Sequence, residues 1–187
     1  MRFERGGTLT RALLISVGIA GLAVAAITAP NIARALLPYM KSTFSRTPHE
    51  RSLLRTLQAL KKRRMLRFIQ YGDATMLEIT EQGRRRLREF EFDSMAFPLP
   101  KRWSGQWTVI LFDIPEGHKK ARDALREKLK QLGCFPYNRS VFVHPTDCGD
   151  EIDFVAEFFD VGRYVAHFRT SSLGKQEYRA VQFFGVK

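Results

Sequence analysis

The chain has 187 residues, 44% of them hydrophobic, so it is long enough for one large or two small packed domains rather than a disordered polymer. Its formal net charge is +12, and most of the excess lies in residues 41–90, which carry 13 basic and 5 acidic side chains. Residues 91–187 are nearly balanced, with 14 basic and 13 acidic side chains, so a polyanion such as nucleic acid should meet the first half of the chain.

The sequence lacks the common local signatures of enzyme and metal sites. Cys134 and Cys148 form no CxxC pair, and the four histidines are scattered without the spacing of metal ligands. No P-loop, dinucleotide-binding fingerprint or GxSxG motif occurs. We therefore predict no resident cofactor, and the two isolated cysteines indicate a reducing, cytoplasmic compartment.

The first long element is apolar. Residues 12–29 are nearly all hydrophobic or small, and no charged residue occurs between Arg11 and Arg34. This length approaches the roughly 18–20 residues that span a bilayer, so a membrane anchor for an interaction protein is one interpretation and a cleaved signal peptide is another. Basic residues on both sides and the many alanines and glycines favour a third, in which residues 8–29 form a buried helix and residues 30–37 begin a second helix.

A basic amphipathic helix is predicted next. Thr47, Pro48 and Glu50 have the spacing of a capping box, which places the first helical residue at Pro48. Four leucines recur at helical spacing and form one apolar stripe: Leu53, Leu54, Leu57 and Leu60. The opposite, polar face lacks interleaved carboxylates and carries Arg51, Arg55, Gln58 and Lys62. Such a face is suited to a groove of DNA.

A hairpin and a second basic helix follow. Residues 66–70 and 76–80 resemble short strands around a turn at residues 71–74, and four of the arginines then lie on a helix that begins near Glu81. Helix, hairpin and helix in this order resemble the winged-helix DNA-binding domain. The run from Ile79 to Gly83, ITEQG, is similar to the (L/I)TxxG motif that closes the wing in many such regulators. A charged, solvated helical hairpin is the alternative.

The winged-helix interpretation assigns roles to the basic side chains. Arginine suits guanine and glutamine suits adenine, so we expect Arg51, Arg55 and Gln58 to face base edges. Contacts with phosphates, which supply affinity without sequence information, are expected from Lys61, Lys62, Arg63, Arg64 and the wing residue Arg67.

A second domain is predicted after a proline-rich linker at residues 96–102. Residues 107–112 have the composition of a buried strand, and residues 118–132 form an amphipathic helix that Gly133 ends. Two short strands between residues 135 and 144, a helix at residues 150–159 and a strand at residues 164–168 complete the order β-α-β-β-α-β. This order is that of a ferredoxin-like sheet with two helices on one face.

Several runs in this domain resemble one protein family. They are Trp103 to Trp107 (WSGQW), Val109 to Glu116 (VILFDIPE), Lys119 to Arg126 (KKARDALR) and Ser140 to Pro145 (SVFVHP). They resemble the central domain of the PaaX-like transcriptional repressors, which is itself similar to CRISPR-associated endonucleases of the Cas-two type. The resemblance covers roughly residues 101–170. It implies a winged helix ahead of this domain and a role in gene regulation.

Asp113 is the candidate catalytic and metal-binding residue that the resemblance implies. In the nuclease-type relatives an aspartate at this strand end meets its twofold mate and is proposed to hold a divalent metal. Two such carboxylates would bind Mg²⁺ or Mn²⁺ and activate water. The other interpretation is structural: Asp113 caps the following turn or pairs with Lys119, Lys120 or Arg122. We favour the structural role because no second carboxylate in the chain has a matching spacing.

The C-terminus supplies the last predicted element. Residues 178–186 are too apolar for a free tail and are interpreted as an extra strand. In the resembling nucleases a C-terminal strand packs on the partner's sheet, and such pairing would cover an exposed edge. We therefore expect a homodimer.

Together these elements predict an α+β protein with three parts: a winged helix in residues 1–95, a linker in residues 96–102, and a ferredoxin-like dimerisation domain with an extra C-terminal strand in residues 103–187. The expected function is a DNA-binding transcriptional regulator, a homodimeric repressor, with double-stranded DNA as its partner. A metal-dependent endonuclease that uses Asp113 is the first alternative, and a membrane-anchored interaction protein is the second.

Overall fold

The computed structural model describes residues 6–20, 23–24, 49–71 and 74–186. It mixes helices with antiparallel sheets, as the predicted α+β class requires. The chain divides into two units, Met1–Asp93 and Ser94–Lys187, which are called unit 1 and unit 2 below.

Unit 1 combines helices with a small sheet. Its described elements are α1 (Gly6–Ala20), β1 (Ala23–Val24), α2 (Glu50–Lys62), β2 (Leu66–Tyr71), β3 (Ala74–Ile79) and α3 (Glu81–Ser94). The described strands form one antiparallel sheet in the order β1-β3-β2. β2 and β3 pair along their whole length, from Leu66 opposite Ile79 to Tyr71 opposite Ala74, so the predicted hairpin is present.

The core of unit 1 is built by the predicted leucine stripe. Leu53, Leu57 and Leu60 of α2 are buried, and they pack in one cluster with α1, β2 and β3. α1 contributes Leu13 and Leu14, each with no exposed surface. Because three and four residues separate the leucines, they lie on one side of α2 and leave its other side to solvent.

The predicted helix over residues 8–29 is wrong in its length. α1 ends at Ala20, and Ala23 and Val24 instead form a strand that pairs with Met76 and Thr75 of β3. Hydrogen bonding to the edge of β3 thus overrides the helical preference of the alanine-rich sequence. The predicted second helix at residues 30–37 lies outside the described residues. Within the described residues, no helix is long and apolar enough to cross a membrane.

The start of α2 also differs from the prediction. Its first residue is Glu50, and His49 occupies the N-cap position without a side-chain capping bond. The His49 carbonyl accepts hydrogen bonds from the N–H groups of Ser52 and Leu53, at 2.9 and 3.1 Å. The expected capping residues Thr47 and Pro48 lie outside the described part of the chain.

Unit 2 contains a four-stranded sheet. Its elements are β4 (Trp107–Phe112), α4 (Lys119–Gln131), β5 (Phe135–Asn138), β6 (Val141–His144), α5 (Gly149–Phe158), β7 (Val165–Thr170) and α6 (Glu177–Phe184). The strand order is β5-β6-β4-β7, and every neighbouring pair is antiparallel. Up to β7, the elements follow the predicted order β-α-β-β-α-β.

The two faces of β4 are both buried over most of its length. Trp107 and Val109 lie on one face, where they pack with Phe135, Val143 and Ala180. Ile110 and Phe112 lie on the opposite face and are also buried, in keeping with the period of two along a strand. Leu111 is the exception, since it is 38% exposed.

The predicted C-terminal strand is wrong, because residues Glu177–Phe184 form the helix α6. Ala180, Val181 and Phe184 recur at helical spacing and pack on the Trp107 face of the unit's own sheet. The Glu177 carboxylate accepts hydrogen bonds from the Leu173 N–H at 2.9 Å and from Trp107 Nε1 at 3.3 Å, and these bonds lower the pKa of Glu177. A helix docked in this way cannot provide the strand pairing that was expected to form a dimer.

His144 is a buried polar residue in this unit. It is 1% exposed, its Nδ1 accepts a hydrogen bond from the Thr146 N–H at 3.2 Å, and the rings of Phe97 and Phe184 each lie 5.3 Å from its own. Burial between two aromatic rings disfavours the imidazolium and lowers the pKa of His144 from 6.5 to about 4.

We expect this histidine to make unit 2 sensitive to acid. Between pH 6.5 and about 4 the unfolded chain binds a proton that the folded chain does not, so stability falls as the pH falls. The loss between pH 7.5 and 5 should be about 2 kcal/mol, measured by urea unfolding. His144→Asn keeps an acceptor for Thr146 and should remove this dependence, whereas the exposed control His118→Asn should keep it. Equal pH dependence in both variants would contradict the assignment.

Candidate nucleic-acid interface

The exposed face of α2 is the main candidate surface. Arg51, Arg55, Gln58 and Lys62 are all exposed. At about 100° per residue they lie within a narrow sector of the helix, opposite the buried leucines. The predicted polar face is therefore present as one continuous strip.

The cations at and after this face have no acidic partners in the part of the chain that the structure describes. Among the described residues, no carboxylate lies within ion-pair distance of Arg51, Arg55, Lys62, Arg63 or Arg64. The arginines of α3 differ: Glu81 pairs with Arg84 at 3.6 Å and with Arg88 at 3.4 Å. The positive potential of unit 1 is therefore neutralised along α3 and left uncompensated along α2.

Two other predicted phosphate ligands are already engaged. The Lys61 ammonium lies 4.9 Å from the centre of the Phe68 ring. Arg67 faces Glu78 across the β2–β3 ladder, and its Nε donates a hydrogen bond to that carboxylate. This bond lowers the pKa of Glu78. A phosphate would have to compete with Glu78 for the Arg67 guanidinium, so Arg67 is a weaker candidate than the cations of α2.

A tight corner joins α2 to β2. The N–H groups of Arg63, Arg64 and Met65 donate to Ala59, Lys61 and Leu60 carbonyls, each at 2.9 Å. Arg64 has a φ of 55°, which is in the left-handed region. Helices commonly end with a residue in this conformation, and that residue is usually glycine. Arg63 and Arg64 are both exposed at this corner.

The ITEQG segment, Ile79 to Gly83, forms hydrogen bonds with the same corner. Thr80 Oγ1 donates to the Arg64 carbonyl at 2.6 Å and accepts from the Gly83 N–H at 3.1 Å, while the Thr80 N–H donates to the Met65 carbonyl at 3.1 Å. A Cβ at position 83 would overlap the Met65 carbonyl oxygen. The sequence motif does not predict these contacts with residues 64 and 65, because they join segments 15 or more residues apart.

Asp113 follows β4 at the end of the unit 2 sheet. Its N–H donates to the Tyr164 carbonyl at 3.0 Å, and its side chain is exposed. Within the described ranges, its carboxylate forms no hydrogen bond or ion pair. The expected cap or pairing of Asp113 is therefore wrong, since Glu116 takes the cations instead: Arg122 lies 2.9 Å and Lys119 lies 3.7 Å from its carboxylate.

The sequence comparisons bear on this unit. Residues 100–181 match the family model of the PaaX protein central Cas2-like domain. Unit 2 contains a PaaX-type domain. The resemblance that was predicted from the WSGQW, VILFDIPE, KKARDALR and SVFVHP runs is therefore confirmed. No curated protein matches the chain.

In this PaaX-type domain Asp113 has few possible metal-binding neighbours. Within the described residues, no three His, Cys, Asp or Glu side chains are grouped so that they could hold a metal ion. A single exposed carboxylate binds a hard cation weakly unless a second copy of the chain brings another one close.

We expect Asp113→Asn to leave the stability of the PaaX-type domain within about 0.5 kcal/mol of the wild type, because the exposed carboxylate has no partner to lose among the residues that the structure describes. Thermal unfolding measures this directly. The same variant tests the nuclease alternative, since it keeps the shape and removes the charge. Cleavage of DNA with Mg²⁺ or Mn²⁺ by the purified wild type, lost in Asp113→Asn, would establish catalysis.

Proposed function

We propose that the protein is a DNA-binding transcriptional regulator, a repressor, in which unit 1 is a winged helix that binds duplex DNA and unit 2 is a ferredoxin-like domain. The observation that carries the proposal is the exposed strip of α2, whose cations lack acidic partners within residues 6–20, 49–71 and 74–186. The PaaX-type match of unit 2 supports a regulatory context for it.

The architecture of unit 1 supports the winged-helix part of this proposal. α2 comes directly before the β2–β3 hairpin, α3 follows the hairpin, and the short strand β1 adds to its edge. In this arrangement α2 would be the recognition helix and the hairpin would be the wing. The strand order of unit 2 supports the ferredoxin-like part, because β6 lies between β4 and β5 and all neighbours are antiparallel.

The chemistry of the strip suits both kinds of DNA contact. Arg51, Arg55 and Gln58 have the side chains that pair with guanine and adenine edges in the major groove. Lys62, Arg63 and Arg64 lie at the end of the same helix, where a phosphate backbone would run along the groove wall. Since no carboxylate among the described residues pairs with these cations, phosphates would have no such ion pair to displace.

We also propose that the regulator is a homodimer, although the C-terminal strand expected to form it is absent. The remaining support is an apolar patch on the open part of the sheet. Leu111 of β4 and Phe168 of β7 are 38% and 50% exposed and lie on the same face. A second copy would cover them and would match the twofold symmetry common in operators. Phe168→Ser should give monomers by light scattering; dimers would contradict this contact.

The test of DNA binding is a salt titration. Purified protein should bind duplex DNA at low salt, and the logarithm of the binding constant should fall linearly with the logarithm of the salt concentration. The expected slope is roughly 0.9 for each phosphate neutralised. Fluorescence anisotropy with a labelled duplex measures this slope. Absence of binding at low salt would end the proposal.

A further inference from the structure

The corner between α2 and β2 has an unfavourable backbone conformation, which contacts with the surrounding structure must stabilise. Arg64 has a φ of 55°, which side chains other than glycine rarely adopt unless the surrounding structure enforces it. The N–H groups of residues 63 to 65 donate to carbonyls in the last turn of α2. These hydrogen bonds attach the corner to α2 but not to β3 or α3. The carbonyls of Arg64 and Met65 instead accept hydrogen bonds from outside α2.

Thr80 supplies both partners. Its hydroxyl donates to the Arg64 carbonyl at 2.6 Å, and its N–H donates to the Met65 carbonyl at 3.1 Å. The same hydroxyl oxygen accepts from the Gly83 N–H at 3.1 Å, so Thr80 also caps the first turn of α3. One residue thus joins the end of α2, the end of β3 and the start of α3.

The corner carries two adjacent cations whose position matters for binding. Arg63 and Arg64 are exposed and have no carboxylate partner among the described residues. The backbone angles of the corner set the directions in which their side chains leave the chain. Cations whose backbone is already held in place lose less conformational entropy when they bind a phosphate.

We infer that Thr80 is a positioning residue, which holds the Arg63–Arg64 corner in the geometry that contacts the DNA backbone without touching DNA itself. The inference rests on the proposed function and adds to it the residue that orients two of its phosphate ligands. If the inference is correct, a substitution at Thr80 should weaken the phosphate contacts of Arg64 and Arg63, which lie 16 and 17 residues away in the sequence.

The first experiment measures DNA binding against salt for the full chain. Thr80→Val removes the hydroxyl, so the slope of log K against log salt should fall by up to about 1.8, or 0.9 for each of two phosphates. Thr80→Ser keeps the hydroxyl and should restore the wild-type slope. Thr56→Val is the matched control, because the Thr56 hydroxyl donates to the Ser52 carbonyl within α2, at 2.9 Å, and should not affect the corner.

The second experiment needs no DNA. Trypsin cleaves after arginine, and a held corner resists cleavage after Arg63 and Arg64 until it opens locally. Loss of the hydroxyl in Thr80→Val should speed this cleavage about fivefold, the effect expected for one lost hydrogen bond. Thr80→Asp separates the two roles, because an ionised carboxylate still accepts from Gly83 but cannot donate to the Arg64 carbonyl. We expect Thr80→Asp to be cut as fast as Thr80→Val.

The outcomes distinguish this inference from the proposed function. If the wild type binds DNA but Thr80→Val binds with an unchanged slope, the positioning role is overturned and the regulator proposal stands. If Thr80→Asp resists trypsin like the wild type, the cap on α3 alone holds the corner and the inference also fails. If the wild type binds no duplex DNA, the proposed function fails in its own test.

Discussion

Gly83→Ala should destabilise unit 1 by about 3 kcal/mol, the upper end of the usual cost of overpacking. The added methyl group would overlap the Met65 carbonyl oxygen and would come within 2.7 Å of Ile79 Cγ1. The carbonyl cannot move aside cheaply, because it accepts the Thr80 N–H that joins the hairpin to the corner. Since about 1 kcal/mol shifts the melting temperature of a domain this small by 4–8 °C, the midpoint should drop by more than 10 °C.

Gly117→Ala is the matched control for this change. Nothing lies within 4 Å of the position that its Cβ would take, and its φ is not positive. The substitution should therefore leave the melting temperature nearly unchanged or raise it slightly, since alanine restricts the unfolded chain. Calorimetry on both variants tests the prediction. Similar midpoints for the two would mean that α3 shifts away from Met65 without cost.

The elements that were predicted correctly have strong local signals. The leucines of α2 repeat at helical spacing over two turns, and the two strand-like runs lie close together in the sequence, so burial and pairing follow from the sequence. β2 ends at Tyr71 and β3 begins at Ala74, and this register places Arg67 opposite Glu78. The ion pair between these two side chains could therefore be predicted from the sequence, although it was not among the predictions.

The elements that were predicted wrongly depend on contacts that a local pattern does not show. Residues 178–184 contain apolar side chains that fit either a strand or a short helix, and the docking of Ala180 against Trp107 decides for the helix. Ala23 and Val24 are extended because β3 has an edge to pair with. In both cases tertiary packing outweighs a weak local preference.

The sequence indicates which side chains of the candidate site are exposed, but it does not indicate the contacts that position them. The exposure of Arg51, Arg55, Gln58 and Lys62 follows from the position of the leucine stripe on the opposite side of α2. The role of Gly83 in the ITEQG motif does not, because it depends on the distance to Met65. The structural role expected for Asp113 also failed, since Glu116 is three residues closer to Lys119 and takes that position.

Arg51→Ala combined with Arg55→Ala should weaken binding to a preferred sequence by about 30-fold or more, since each pairing of an arginine with a guanine edge is worth about 1–3 kcal/mol. The removal of two cations from the interface should also lower the slope of log K against log salt. Both arginines are exposed, so the fold should remain intact by circular dichroism. Anisotropy titrations across a range of salt concentrations measure the affinity and the slope together.

Arg84→Ala combined with Arg88→Ala provides a control with the same loss of charge from the same unit. These arginines are exposed, as Arg51 and Arg55 are, but they already pair with Glu81 on α3. Exposed pairs of this kind contribute little to stability, so both double variants should fold. The α3 variant should lose less than about tenfold in affinity, through the change in overall field alone.

The comparison of the two double variants separates a specific surface from a general charge effect. If α2 is the recognition helix, its variant loses affinity and slope while the α3 variant keeps most of both. Equal losses would mean that the positive charge of unit 1 attracts DNA without a defined interface. Unchanged binding in the α2 variant would remove α2 from the interface altogether, because its strip of uncompensated cations is the feature from which the DNA-binding proposal was derived.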